Sequence, residues 1–339
     1  MELYAGMDLH ARNTYVGIMD SNSRRIFKKR VANDLQLILN TLEPFREDLR
    51  GIVVESTYNW YWLVDGLMDA GHRCVHLANP SAIKQYEGLK YTDDRHDAFF
   101  LAHLLALGIL PEGYIYPKED RPVRDLLRKR SFLVKQRTEH IHSLQSMIER
   151  HTAQRLNGNE VKKLYLPDLE RIFEEQYVLL SARANNATIK FLSEQIQQIE
   201  KAVKAKVKLS EPFKLLLTVP GIGEILALTI MLEVGDIHRF PTAGDFASYA
   251  RSVPTDRLSN GKSKGKGNRK NGNRYLGWAF VETCHFARRF YPKFRSYYQR
   301  KAATTNPFVA TKAICNKLAR ICYYVMRDQV SFREEAIFC

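Results

Sequence analysis

The N-terminal part of the chain alternates short apolar runs with segments of helical spacing. The strand-like runs are residues 3–9, 15–19, 51–55 and 74–77. The helical patterns cover residues 34–49, 60–70 and 99–110. The first two runs are separated by the polar turn 10–14, which is typical of a β-hairpin. The order strand, strand, helix, strand, helix, strand, helix predicts an α/β domain with a mixed sheet.

Helical spacing dominates the rest of the chain. Residues 124–150 and 182–207 each carry an apolar stripe and predict two long amphipathic helices, with a break around 157–159 and Pro167. Such a pair is typical of an antiparallel or dimeric coiled coil, and a simple helical spacer is an equally open interpretation. Residues 275–339 are helical and rich in aromatic side chains. The predicted fold class is therefore α/β followed by all-α.

Composition indicates the kind of partner. The formal net charge of +15 and the pI of about 9.5 favour a polyanion, most simply nucleic acid. No apolar run reaches the length of a membrane-spanning helix, and the first residues lack a basic-then-apolar signal, so we expect a cytoplasmic protein without a membrane partner. The five Cys are scattered without a C-x-x-C pair, which disfavours a zinc ribbon or a disulfide framework, and Cys315 and Cys322 are predicted core residues.

Four carboxylates are candidates for a metal site. Asp94 and Asp97 lie three residues apart at the start of the predicted helix, where Asp93 or Asp94 can cap its N-terminus. Asp8 and Glu55 lie on or at the end of predicted strands, where ligands gather in α/β sheets. Together the four predict a site for two divalent cations of the kind that act in phosphoryl transfer. Taken singly, each is also explained as an ordinary turn cap or helix-capping acid.

The C-terminal part carries two motifs for phosphate contact. Pro220-Gly221-Ile222-Gly223 between two helices is typical of a helix-hairpin-helix, in which glycines let backbone N–H groups approach a phosphate; a tight turn without a ligand is the alternative. Seven Lys or Arg and no acid occur between Arg257 and Arg274, so we expect this loop to follow a phosphate backbone. The predicted nucleic-acid-binding residues are Gly221, Gly223, Arg257, Lys262, Lys264, Lys266, Arg269, Lys270 and Arg274.

A serine within this basic loop is a candidate nucleophile. Ser259 is followed by Asn260-Gly261-Lys262-Ser263, so cations flank a hydroxyl that could attack a phosphodiester. From the residues alone, an ordinary serine in a flexible basic loop is the simpler explanation.

These motifs, in this order and over nearly the whole chain, resemble those of the insertion-sequence-110 type transposases. Members of this family are also called DEDD or bridge-RNA-guided recombinases. Within the family, the sequence resembles the 1111 subgroup. The N-terminal matches are Gly6-x-Asp8, Val54-Glu55-Ser56-Thr57 with Tyr58, Asn79-Pro80, Glu87-Gly88-Leu89-Lys90 and the Asp94 to Ala98 motif. The C-terminal matches are Pro254, Ser259, Ser263, Gly272 and Leu276. One additional residue after Thr92 leaves Asp93 open as a ligand, although the spacing to Asp97 favours Asp94. Asn260-Gly261 stands where the family usually has Ser-Gly, which leaves Ser263 as the second candidate nucleophile.

The resemblance implies three domains: a RuvC-like (RNase H-like) domain at 1–117, a helical coiled-coil linker at 118–208, and a C-terminal transposase domain with a helix-hairpin-helix at 209–339. It implies that Asp8, Glu55, Asp94 and Asp97 hold Mg²⁺, as two ions and with Mn²⁺ as the alternative, and that Ser259 forms a covalent bond with DNA. The implied partners are double-stranded donor and target DNA, a structured noncoding guide RNA, and further copies of the chain in a dimer or tetramer. Two other functions stay open: a metal-dependent nuclease or Holliday-junction resolvase without a serine intermediate, and a nucleic-acid-binding protein with a degenerate site.

Overall fold

The computed structural model describes residues 1–83, 94–207, 210–254, 256–260, 262–266 and 271–333. The chain divides into two compact units, Met1–Tyr116 and Pro117–Cys339, which we call the N-terminal and the C-terminal unit. The division into three domains at 1–117, 118–208 and 209–339 stays a prediction.

A mixed five-stranded sheet forms the centre of the N-terminal unit. Its strands are β1 (Leu3–Leu9), β2 (Asn13–Asp20), β3 (Arg25–Ala32), β4 (Leu49–Glu55) and β5 (Val75–Ala78). Their order across the sheet is β3-β2-β1-β4-β5, antiparallel from β3 to β1 and parallel from β1 to β5. The predicted hairpin and the mixed α/β sheet are confirmed. The sequence pattern did not indicate β3, because most of its side chains are exposed and it lacks the apolar alternation of a half-buried strand.

In the described part of the N-terminal unit, three helices cover this sheet: α1 (Leu35–Leu42), α2 (Tyr61–Asp69) and α3 (Asp94–Ala106). The helix predicted over 34–49 ends earlier, because Pro44 lies in a 3-10 turn (Glu43–Phe45) and β4 begins at Leu49. The helix predicted to reach residue 110 ends at Ala106, and Gly108 follows with a left-handed φ of 67°. Apolar side chains of the sheet pack against these helices and form the core of the unit.

Two long antiparallel helices begin the C-terminal unit. They are α4 (Arg121–Thr152) and α7 (Gln176–Val207), connected through the short helices α5 (Gly158–Lys163) and α6 (Leu166–Ile172). Contacts between the long helices run in opposite directions along the chain: Arg130 pairs with Glu200, His140 with Asn185, and Met147 with Ser181. The predicted pair of amphipathic helices is confirmed, and its apolar stripes face each other within one chain.

Among the described residues, six further helices and a β-hairpin follow in the C-terminal unit. The helices are α8 (Glu211–Leu216), α9 (Glu224–Val234), α10 (Ala243–Tyr249), α11 (Arg274–Phe290), α12 (Pro292–Thr304) and α13 (Pro307–Asp328). The hairpin consists of β6 (Asp256–Ser259) and β7 (Lys262–Lys266). Phe246, Phe280 and Tyr323 lie at the centre of the core, and Cys315 and Cys322 are buried within it, as predicted. In the described part of the chain, no helix combines the length and the apolar character that crossing a bilayer requires.

Candidate active site and nucleic-acid interface

Asp8 and Glu55 lie at the carboxyl ends of two neighbouring parallel strands. The register of β1 and β4 pairs Met7 with Val54, so the next residue of each strand carries a carboxylate. Asp8 is only 3% exposed, and its Oδ2 lies 2.9 Å from His10 Nε2. Asn59, in the loop after β4, donates through Nδ2 to the carbonyl of His10 at 3.2 Å. This bond connects the segments that follow the two strands, and the parallel pairing of β1 with β4 places the two carboxylates side by side.

The third carboxylate, Asp97, reaches the same place because α3 lies directly on β1. A Cβ at Gly6 would lie 1.9 Å from the carbonyl oxygen of Ala98 and 2.9 Å from the backbone nitrogen of Ala102. Only a residue without a side chain allows this approach of helix to strand. Gly6 is therefore a structural part of the site, which the sequence indicated only as a member of the Gly6-x-Asp8 motif.

The pKa of Glu55 indicates that the other two carboxylates lie close enough to interact with it. Burial, a hydrogen bond with Asp8, and the negative charges of Asp8 and Asp97 raise the pKa of Glu55 to about 8. At neutral pH a proton on Glu55 thus relieves the repulsion between the carboxylates. A divalent cation would relieve the same repulsion and would be bound through oxygen ligands that suit Mg²⁺.

The fourth predicted ligand stands at the start of the same helix as Asp97. α3 begins at Asp94, whose side chain lies outside the described residues, as does the whole of Asp93. Over the described ranges, no three or more His, Cys, Asp or Glu side chains form a ready-made metal site. The oxygen chemistry of Asp8, Glu55 and Asp97 fits a divalent cation, and the complete ligand set stays a prediction.

The predicted helix-hairpin-helix turn joins α8 to α9, and its two glycines have different surroundings. Gly221 has a φ of 83°, and a Cβ there would lie 2.5 Å from the carbonyl oxygen of Thr283 in α11. This glycine is required for packing between the turn and α11. Gly223 precedes α9 without a side-chain cap, and a Cβ there would meet no atom within 4 Å. Of the two, Gly223 has the open surroundings that a phosphate contact needs.

Ser259 ends β6 and pairs with Lys262 of β7, while Ser263 pairs with Leu258. The sequence predicted an irregular basic loop, and the structure instead has a β-hairpin whose Asn260 adopts a left-handed φ of 54°. Asn260-Gly261 is a hairpin-turn dipeptide, so this signal was present in the sequence. Lys262 is exposed on the hairpin. The side chains of Arg257, Ser259, Ser263, Lys264 and Lys266, and the residues Arg269 and Lys270, lie outside the described part.

A buried ionic network lies where the basic segment enters α11. Glu233 of α9 is 2% exposed and accepts hydrogen bonds from Arg124 Nε at 3.1 Å and from Arg128 Nε at 2.6 Å. It also accepts from Asn273 Nδ2 at 2.7 Å. Asn273 caps α11, because its Oδ1 accepts from the backbone nitrogens of Tyr275 and Leu276. The network thus connects α4, α9 and the start of α11, and no pattern in the sequence indicates it.

Arg274, the last of the predicted basic residues, begins α11. Its Nη2 donates to the hydroxyl of Tyr275 at 2.8 Å, and its guanidinium lies 4.9 Å from the centre of that ring. Arg128 lies over the same ring at 4.5 Å. The tyrosine therefore holds two guanidinium groups near the turn formed by Gly221 and Gly223.

Comparisons with known proteins agree on one family. Residues 5–152 match the family model for DEDD transposases of the IS110 type, and residues 213–299 match the model for transposases of the IS116/IS110/IS902 family. The chain is 24% identical over 336 residues to a transposase for insertion sequence element IS1328 from Yersinia enterocolitica, which covers 96% of this chain and 97% of the relative.

Two further relatives extend this similarity. A transposase for insertion sequence element IS1111A from Coxiella burnetii is 25% identical over 272 residues, 76% of this chain and 73% of the relative. A pilin gene-inverting protein from Moraxella bovis is 27% identical over 291 residues, 83% of this chain and 81% of the relative.

Proposed function

Because the chain belongs to the IS110-type transposases and is an enzyme that acts on DNA, we propose that it exchanges DNA strands through a metal-dependent carboxylate site and a serine–DNA intermediate. The observation that carries the proposal is the convergence of Asp8, Glu55 and Asp97 from three separate elements. The gene-inverting relative supports a recombination reaction.

In the proposed reaction, Asp8, Glu55 and Asp97 of the RuvC-like site would hold Mg²⁺, with Asp94 as the fourth ligand. Bound Mg²⁺ would supply positive charge to the phosphate oxygens of the DNA. The hydroxyl of Ser259 loses its proton as its oxygen bonds to phosphorus, and a deoxyribose oxygen leaves and takes up a proton. A free deoxyribose hydroxyl of a second strand then loses its proton as it attacks the serine phosphodiester, and the serine oxygen leaves and takes up a proton. The backbone position of Ser259 beside Lys262 supports this assignment, because a cation there stabilises the developing negative charge.

A structured noncoding RNA that pairs with donor and target DNA is part of the proposal, as is assembly of the chain into a dimer or tetramer. The net charge of +15 supports binding to a polyanion such as RNA. Sequencing of the RNA that co-purifies with the protein tests this part separately: recovery of one defined RNA supports it, and recovery of only unrelated cellular RNA contradicts it.

The serine is tested by comparing Ser259→Ala with the matched variant Ser263→Ala in a strand-exchange assay with purified DNA. We expect Ser259→Ala to lose strand exchange and the protease-sensitive protein–DNA adduct while retaining DNA affinity, and Ser263→Ala to retain all three. The reverse result would assign the nucleophile to Ser263.

Unchanged DNA cleavage by both serine variants, together with loss of cleavage in Asp97→Asn, would instead identify a metal-dependent nuclease or Holliday-junction resolvase. Full activity of Asp97→Asn would contradict the carboxylate site itself.

A further inference from the structure

An open cleft of about 1560 Å³ lies within the C-terminal unit, lined by α4, α11 and the turn that leads into α9. We call it the α4–α11 cleft. Seven of its described lining residues are Lys or Arg and three are Glu, so the described walls carry a net positive charge. Exposed aromatic rings line the same walls. Among the residues that the structure describes, neither the predicted carboxylate site nor the serine hairpin contributes to it.

The aromatic side chains of the cleft are exposed, and cations lie over one face of two of the rings: Arg289 is 5.2 Å from the centre of the Phe290 ring, and Lys129 is 5.0 Å from that of Phe132. Phe286 and Phe290 of α11 are 43% and 62% exposed. Their ring centres are 6.5 Å apart and their planes differ by only 7°, so a flat group stacked on one ring lies parallel to the other as well. Phe132 of α4 is 52% exposed in the same cleft. Exposed rings within a basic groove are the usual platform for unpaired bases.

The cations of the cleft are only partly neutralised. Within the described ranges, Arg137, Lys162 and Arg274 form no salt bridge with a carboxylate. Arg137 Nη1 donates to Ser193 Oγ at 3.2 Å, whereas its buried Nε meets no acceptor among the described residues. Burial and the charge of Arg130 lower the pKa of Arg137, and burial and the charge of Arg137 lower the pKa of Lys162. An anion bound here would relieve this mutual repulsion.

We propose that the α4–α11 cleft binds an unpaired stretch of nucleic acid, with bases stacked on Phe286 and Phe290 and phosphates held by Arg137 and Lys162. A duplex keeps its base faces inside its own stack and cannot use these rings. A second copy of this chain also carries a charge of +15 and would bury these cations without a counter-charge. Unpaired RNA and single-stranded DNA share the required chemistry, and the experiment below separates them.

The test measures the affinity of the full-length protein by fluorescence anisotropy for three probes of one sequence: single-stranded RNA, single-stranded DNA and duplex DNA, each of about 12 nucleotides. The variant Phe286→Ala/Phe290→Ala should bind at least one single-stranded probe about tenfold more weakly, because stacking on two rings is lost. Its affinity for the duplex should stay unchanged. A loss of affinity for the RNA probe alone identifies RNA as the ligand. An equal loss of affinity for both single-stranded probes means that the cleft binds unpaired RNA and DNA alike.

Phe308→Ala is the matched control, since Phe308 of α13 is 85% exposed and lies outside the cleft. This variant should bind all probes as the unchanged protein does. Arg137→Gln keeps both rings and should reduce the dependence of log affinity on log salt concentration by about 0.7 for a single strand. The corresponding control is Lys201→Gln, an exposed residue of α7 outside the cleft.

Three results would overturn the proposal. The first is unchanged single-strand affinity in both the double Phe variant and Arg137→Gln. The second is an equal loss for duplex and single strands, which would make the cleft a duplex groove. The third is a change of oligomeric state in the double Phe variant, measured by light scattering, which would make the rings an interface between copies. The assay measures binding alone, so a failure of the serine or metal assignment does not affect its outcome.

Discussion

At Glu55, burial and the two neighbouring carboxylates all favour the protonated form of the side chain. The pKa of this side chain is raised from 4.5 to about 8. Between these pH values the folded protein holds a proton that the unfolded chain releases. The free energy of unfolding therefore falls as pH rises through this window and levels off above it. We expect Glu55→Gln to remove most of this fall and, without metal near pH 8, to be more stable than the unchanged protein by about 2 kcal/mol. The full pKa shift would imply a larger gain, but partial exposure of the site reduces it.

Urea unfolding in the presence of a chelator, at several pH values across the window, measures this effect. Addition of Mg²⁺ near pH 8 should stabilise the unchanged protein more than Glu55→Gln, because a cation then replaces the missing proton. Parallel stability curves for the two proteins would show that Glu55 does not hold the proton.

Glu233 presents the opposite case, a buried acid surrounded by cations. Burial raises its pKa, but the hydrogen bond from Arg128 and the charges of Arg124 and Arg128 outweigh burial, so the pKa is lowered overall. The stability that it contributes is present above the ordinary carboxyl range and is lost as pH falls through the lowered value. We expect Glu233→Gln to destabilise the protein by about 3 kcal/mol at neutral pH, since two largely buried guanidinium groups lose their counter-charge.

Chemical denaturation of Glu233→Gln and of the control Glu139→Gln tests this expectation. Glu139 is exposed, and its nearest ion-pair contact, with Lys135, is 3.9 Å long, so its replacement should cost close to nothing. The difference between Glu233→Gln and the unchanged protein should shrink in acid. A cost for Glu233→Gln no larger than that for the control would contradict the proposed role of the network.

At the scale of elements, the approach of α3 to β1 depends on one atom that Gly6 lacks. A Cβ at this position would overlap backbone atoms of Ala98 and Ala102, which cannot rotate away, so α3 would have to move as a body. We expect Gly6→Ala to lower the free energy of unfolding by about 2 kcal/mol and to reduce transposition strongly, because Asp97 moves with the helix. Thermal unfolding and a plasmid transposition assay measure the two effects.

Gly113→Ala provides the matched control in the same unit. A Cβ at Gly113 would make only ordinary contacts with Leu77, the nearest at 3.4 Å. This variant should keep its stability and its transposition frequency. If both variants behaved alike, the close contact at Gly6 would not be what sets the position of α3.

The elements that the sequence predicted and those that it missed differ in what stabilises them. The helices α4 and α7 carry long apolar stripes that pack against each other, so periodicity alone located them. The strand β3 has mostly exposed, charged side chains, and it forms because β2 offers it a hydrogen-bonding edge. That partner is a tertiary property which the local pattern of β3 does not contain.

For the whole molecule, the sequence could identify the residues of the candidate site, but it could not predict that they lie close together in space. Asp8 and Glu55 were predicted at strand ends, and the parallel pairing of β1 with β4 makes them neighbours. The position of Asp97 depends on the close contact between α3 and Gly6. The network around Glu233 depends on contacts among α4, α9 and the start of α11. Such contacts join residues far apart in the chain, and neither periodicity nor spacing carries information about them.

The packing between the antiparallel helices α4 and α7 also restricts how the lengths of these two helices can change during evolution. Buried apolar residues of α4 pack against buried residues of α7, as Leu133 does against Leu192 and Ile196. An insertion in a single helix would rotate every later side chain away from its partner, whereas paired insertions of whole heptads in both helices preserve the seam. In relatives of this protein, α4 and α7 should therefore differ in length by the same number of residues. The short helices α5 and α6, which connect them, should keep their lengths.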